Sequence, residues 1–252
     1  MKGALVTGAA TRIGRALATA LAADGFFVFV HHNNSVAAAR ETVAGIVAAG
    51  GQAKAVRADL SSAKQAEALV DKCRAAGVRL TCLVNNASLF KLDRAPHATA
   101  ADFDLHMAIN LRAPLLLSQA LARQLPEGET GLVVNLLDQK LFNLNPDFLT
   151  YTLSKIGLEG LTDLLARAFA PRLRVAAIAP GLTLRSGAQT EQRFAEERVA
   201  NPLRTGVTTD DLVRALRFIV ATPSYTGDVV IVDSGEHLTG RPRDIAFHRR
   251  EK

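Results

Sequence analysis

Apolar positions fall in short blocks along the chain, each closed by a turn residue. Ala4-Leu5-Val6 is a brief apolar run that stops at Thr7-Gly8. Ile13, Ala16, Leu17, Ala20 and Leu21 then recur at helical spacing until Gly25. Phe26 to Val30 is continuously apolar and predicts a second, buried strand. Val36 to Ala49 reads as an alanine-rich helix closed by Gly50-Gly51, and Ala53 to Val56 as a third strand leading to Asp59. Ser61 or Ser62 can cap the next helix, which ends near Gly77. Leu80 to Val84 is a fourth strand, followed by Asn85-Asn86-Ala87. A long helix is predicted from about Asp102 to Leu125, ended by Pro126, and a fifth strand over Leu132 to Leu137. A helix from about Phe148 to Ala170 stops at Pro171. Val175 to Ala179 is the sixth strand, Asp210 to Ala221 a helix, and Val229 to Val232 the seventh strand.

Strands separated by helices require right-handed crossovers and a mostly parallel sheet, an α/β fold. No linker or repeat interrupts the alternation, so residues 1–252 read as a single domain. The exception is an irregular stretch from Pro180 to about Thr208, which reads as a lid over a site, at about 181–208.

Composition narrows the class. Hydrophobic residues make up 48% of the chain, enough for a large core. No apolar run approaches the roughly 20 residues of a membrane span. The first apolar block reads as a strand and not as a leader. Cys73 and Cys82 form no metal or redox motif, which points to a reducing cytoplasm. The formal net charge is +6, but the basic residues are scattered and lack interleaved aromatics, which argues against nucleic acid. Anionic small molecules suit that charge. The basic tail from Arg241 to Lys252 reads as a solvated or subunit-contacting end.

The chemistry starts at Tyr151-Thr152-Leu153-Ser154-Lys155. A tyrosine four residues before a lysine places phenol and ammonium on one helix face. The ammonium is expected to lower the phenol pKa from its usual value of about 10 and make a proton donor for neutral pH. Ser154 reads as helix filler. Thr7-Gly8-Ala9-Ala10-Thr11-Arg12-Ile13-Gly14 joins the first strand to the first helix. Glycines there let the backbone approach a pyrophosphate, and the helix amino terminus offers free N–H groups. Arg12 stands within that turn as a cation for cofactor phosphate or substrate. After the second strand come His31-His32-Asn33-Asn34-Ser35. The absence of a carboxylate there suits NADP better than NAD. Adjacent strand residues point to opposite sides, so the two histidines do not read as a metal site.

In order, the glycine turn, Asp59-Leu60, Asn85-Asn86-Ala87, Asn110, Tyr151/Lys155 and Pro180-Gly181 resemble the short-chain dehydrogenase/reductase family over nearly the whole chain. That resemblance implies a Rossmann-like, doubly wound seven-stranded parallel sheet and a nicotinamide cofactor. It also implies that Gly8, Ile13 and Gly14 of the turn face the cofactor, with His31, Asn33, Asn34 and Ser35 around its adenosine end. Asp59 and Leu60 would border the adenine, Asn86 and Ala87 the ribose, and Pro180, Gly181 and Thr183 the nicotinamide. Asn110 would support a water path to Lys155. A tetramer would be built on the two long helices.

Three departures are similar to the pteridine reductases of that family: Arg12 in the turn, Phe90 after Asn86-Ala87-Ser88-Leu89, and Asp138 where the usual serine lies thirteen residues before Tyr151. In that pattern Phe90 stacks on a pterin, Arg12 touches cofactor phosphate and pterin edge, and Ser88 binds cofactor, substrate or both. The expected reaction is hydride transfer from NADP(H) to a pterin-like ring. Tyr151 gives the proton, Lys155 tunes Tyr151 and binds the ribose, and Asp138 relays a proton or orients the substrate. Two alternatives stay open: a general carbonyl reductase for a ketone, sugar or acyl-carrier substrate, and a non-catalytic NADP-binding regulator.

Overall fold

A computed structural model describes residues 2–185 and 189–247. The strands are β1 (Lys2–Val6), β2 (Phe27–His32), β3 (Gln52–Arg57), β4 (Arg79–Asn85), β5 (Gly131–Leu136), β6 (Leu173–Pro180) and β7 (Val229–Val232). They form one sheet in the order β3-β2-β1-β4-β5-β6-β7, and every pairing is parallel. The order reverses between β1 and β4, which opens a crevice beyond their carboxyl ends.

Helices cover both faces because the central strands β1, β4 and β5 are apolar on both sides. Ala4 and Val6 of β1 pack toward α1 (Arg12–Ala23), α2 (Val36–Ala48) and α8 (Thr209–Ala221). Leu5, between them, packs toward α3 (Ala63–Arg74), α5 (Ala113–Gln124) and α6 (Leu149–Phe169). The alternation is the period-2 pleat of a strand buried twice. Ser62, not Ser61, caps α3 by accepting from the Gln65 N–H. Ser61 instead bonds Asp59 through its N–H and hydroxyl.

The long helix expected over 102–125 is three pieces. It runs as α4 (Ala100–Met107), a π turn (Ala108–Arg112) and α5. Pro114 has no N–H to give the carbonyl of Asn110 four residues earlier, and the wider turn takes up that mismatch. Phe103, Leu105, Leu153 and Ile156 leave apolar side chains exposed on α4 and α6, the helices expected to meet a second copy. The stretch expected to be irregular holds a short helix, α7 (Glu191–Glu197), capped by Thr190. Among the described residues no helix is long and apolar enough to cross a membrane.

Candidate active site

The carboxyl ends of β4, β5 and β6 face a cleft of about 690 Å³. Tyr151 and Lys155 reach it from one face of α6, one turn apart. Asp138 follows β5, and its Oδ1 accepts the Lys140 N–H at 2.9 Å, which fixes the carboxyl plane. Its Oδ2 accepts the Tyr151 hydroxyl at 2.7 Å. Lys155 Nζ donates to the Leu136 carbonyl at 2.6 Å and lies 5.8 Å from the Tyr151 ring centroid. Phe90 stands edge-on to Tyr151 at 4.7 Å and stacks on Phe148 at 4.2 Å. Phe148 carries a left-handed φ of 57°, as does Arg12, which also lines the cleft. Left-handed backbone at two bulky residues of one pocket is strain of the kind that clusters at functional sites.

The electrostatics correct one expectation. Tyr151 is not acidified: burial, then the charge and hydrogen bond of Asp138, hold its pKa well above the ordinary value. Sequence spacing supplies the lysine and the aspartate but not their burial, the first cause of the raised phenol pKa. Burial also raises the Asp138 carboxyl, against the Lys140 N–H, the Tyr151 hydroxyl and the Lys155 charge. Lys155 is lowered to about 8 by burial, partly offset by Asp138. The trio therefore holds a phenol that keeps its proton, a carboxyl inclined to take one, and an ammonium that releases one in mild alkali.

Asn110 and Ser154 stand behind this trio. Asn110 Oδ1 accepts the Leu89 N–H, and Nδ2 donates to the Leu89 carbonyl and to Ser154 Oγ. Its side chain is thus engaged by protein, and no described hydrogen bond joins it to Lys155. Ser154 is more than filler: it is fully buried and donates onward to the Tyr151 carbonyl at 2.6 Å.

A second cavity, about 430 Å³, continues from the cleft and shares Arg12, Ile13, Asn86 and Ser88 with it. Gly8, Gly14, His31, Asn33, Asp59, Leu60 and Ala87 line the rest. Asn34 lies in a further recess beyond Asn33, and Ser35 lines neither cavity. Gly8 has φ +62°, and a Cβ on Gly14 would sit 2.4 Å from the Gly8 carbonyl. Asn86 locks this turn by donating to the Thr7 and Gly8 carbonyls, while Thr7 Oγ1 accepts the Asn86 and Ala87 N–H groups. His31 is wholly structural in its hydrogen bonds. Nδ1 accepts the Gly8 N–H, Nε2 faces the Ala58 carbonyl, and burial pushes its pKa down to about 4. Thr11, the cap of α1, makes no side-chain cap bond, which leaves that helix end open to an anion. A bare glycine turn, an uncapped helix and an elongated groove fit a dinucleotide with its pyrophosphate at the turn.

Some residues of the cleft stand differently from the sequence reading, and others escape it. Arg12 does not rest on the turn: its guanidinium donates to the Arg185 and Leu184 carbonyls of the segment that follows β6. Glu236, buried beside Gly181, accepts the Leu182 N–H and an Arg241 N–H, and burial raises its pKa to about 7. Where it is described, the basic tail is half-buried and paired within the chain. Arg243 grips the buried Asp147 through two hydrogen bonds, and Arg94 adds a third. Those partners, Arg243 first, hold Asp147 well below the usual carboxylate range. Asp244 pairs with the buried Lys140 at 3.0 Å, and Phe247 packs against Phe148, so Asp244 to Phe247 close one side of the cleft. The signal was Asp147 itself, an acid amid apolar neighbours that needs cations from elsewhere in the chain. Arg249, Arg250 and Lys252 lie outside the described residues.

The family model for short chain dehydrogenases matches residues 2–197. Among solved structures, the chain is similar to FolM alternative dihydrofolate reductase 1 from Brucella canis, complexed with NADP. The TM-score is 0.90 at 39% identity, over 94% of each chain. An uncharacterized oxidoreductase of Methylorubrum extorquens is 34% identical over 93% of this chain and 97% of its own length. The 3-oxoacyl-[acyl-carrier-protein] reductase of Synechocystis is 31% identical over 92% and 95%.

Proposed function

The chain belongs to the short-chain dehydrogenases, and from that premise we propose that it is an NADPH-dependent reductase of a pterin-like ring, a dihydropterin or dihydrofolate. The observation that carries this reading is the Tyr151–Asp138 hydrogen bond in the wall of an aromatic cleft. The NADP named with the Brucella protein supports the cofactor. When bound in the groove, NADPH supplies a hydride. Gly8, Gly14 and the start of α1 would hold its pyrophosphate, Lys155 its nicotinamide ribose, and Pro180, Gly181 and Thr183 its nicotinamide edge.

The residues then divide the proton work. Reducing a C=N bond adds a hydride to carbon and moves the π electrons onto nitrogen, which needs a proton. Tyr151 Oη gives that proton. A bare tyrosinate beside a carboxylate is costly here, as the raised phenol pKa shows. Asp138 therefore acts protonated and passes its own proton to Tyr151 as Tyr151 gives one up. Burial makes that protonated carboxyl accessible. A serine at 138 could donate a hydrogen bond but could not store the proton. Phe90 and Phe148 offer an apolar wall to a flat ring.

The test is NADPH consumption with dihydrobiopterin, dihydromonapterin and dihydrofolate beside keto compounds. Turnover of a dihydropterin well above every ketone is the expected result. A ketone preferred over all three would favour the carbonyl reductase reading, which the similarity to the Synechocystis enzyme keeps in view.

A further inference from the structure

The loop after β2 carries no cation, yet the groove does not end there. Past Asn33 and Asp59 it opens into a polar recess of about 480 Å³, lined by Asn33, Asn34, Arg57, Asp59, Gln65 and Lys72. The parallel register pairs His32 with Arg57, so the last residue of β3 lies beside the end of β2. Lys72, from α3, donates to the Arg57 carbonyl at 3.2 Å and brings its ammonium to the same place. Two cations therefore share this recess with one carboxylate, Asp59, which Ser61 already engages.

The other arginines near the groove are committed. Arg12 is turned to the Arg185 and Leu184 carbonyls. Arg15 donates to the Ala10 carbonyl and faces Glu41. The Arg57 guanidinium is exposed and has no hydrogen bond or ion pair among the described residues. A phosphate monoester carries roughly −1.5 to −2 charges near neutral pH, and a guanidinium fork matches its oxygens in pairs. We infer that Arg57, assisted by Lys72, recognises the adenosine 2′-phosphate, so that cofactor choice is set from β3 and α3 and not from the β2 loop. The inference rests on the groove holding NADPH.

Equilibrium titrations of wild type, Arg57→Ala, Arg57→Lys and Lys72→Ala with NADPH, NADH, 2′,5′-ADP and 5′-AMP test it without turnover. Wild type should prefer NADPH to NADH and 2′,5′-ADP to 5′-AMP. Arg57→Ala should lose at least about tenfold in affinity for both 2′-phosphorylated ligands, with NADH and 5′-AMP unchanged. Arg57→Lys should keep part of the preference, and Lys72→Ala should lose less than Arg57→Ala. Salt should weaken the 2′-phosphorylated ligands most. An Arg57→Ala protein that melts normally and keeps the wild-type preference overturns the role of Arg57 alone. A wild type that prefers NADH also overturns it. A wild type that binds neither dinucleotide overturns the groove reading itself, and this inference with it.

Discussion

Replacing Tyr151 with phenylalanine removes one oxygen from a site whose other contacts stay in place. The ring keeps its edge-on packing against Phe90 at 4.7 Å. Asp138 loses the donor at 2.7 Å but keeps the Lys140 N–H at 2.9 Å. A hydrogen bond to a charged group is worth about 1.5–3 kcal/mol. Losing a donor to the charged form raises the carboxyl pKa further, so Asp138 neutralises and recovers much of that cost. The stability loss should be about 1 kcal/mol, a shift of only about 2–4 °C in Tm for a chain of this size. The rate loss should be far larger. Positioned proton transfer contributes about 10²–10⁴ in rate, which is about 3–5 kcal/mol of barrier. Steady-state NADPH oxidation, with NADPH affinity measured separately, distinguishes the two effects. Lost turnover with intact NADPH binding is expected. Full NADPH-dependent turnover by Tyr151→Phe would refute the role of Tyr151 as proton donor.

Two other perturbations probe the turn that faces the pyrophosphate. Gly14→Ala places a Cβ 2.4 Å from the Gly8 carbonyl and 2.5 Å from Asn86 Nδ2. Backbone must move, so NADPH affinity should fall more than tenfold and Tm by several degrees, and an alanine variant binding as wild type would contradict the close packing. The second is acid. Above pH 6.5 the neutral His31 ring accepts the Gly8 N–H. Between 6.5 and about 4 the unfolded chain takes a proton that the folded chain refuses. Stability should therefore fall as pH drops through that window, by up to about 3 kcal/mol. Urea melts from pH 7 to 4 measure it, and His31→Gln should flatten that part of the dependence.

Much of the fold is legible because glycine and proline punctuate it: Gly25, Gly50 and Pro171 end their elements where the sequence places them. The π turn was readable in principle from Pro114, but apolar periodicity runs through it without a break. Helix α7 was missed because Glu191 to Glu197 is mostly polar, shows no apolar periodicity and buries no residue. Tyr151, Lys155 and Asp138 declare themselves by spacing, whereas their proton affinities depend first on burial, which spacing does not convey. Arg57 was invisible for a similar reason: only the β2–β3 register brings it beside Asn33 and Asn34. The C-terminal segment read as a solvated or subunit-contacting end because its arginines looked free, while Asp147, the partner of Arg243, lies 96 residues away.

The central claim is that the carboxyl of Asp138 suits this cleft to a C=N bond. The most direct measurement compares kcat/KM for dihydrobiopterin and for a simple ketone in wild type and in Asp138→Ser. The account predicts a loss of at least about 100-fold on the dihydropterin, with ketone turnover kept or raised, because a hydroxyl can still hydrogen-bond a carbonyl. Unchanged dihydropterin turnover in Asp138→Ser, with the same NADPH affinity, would contradict it.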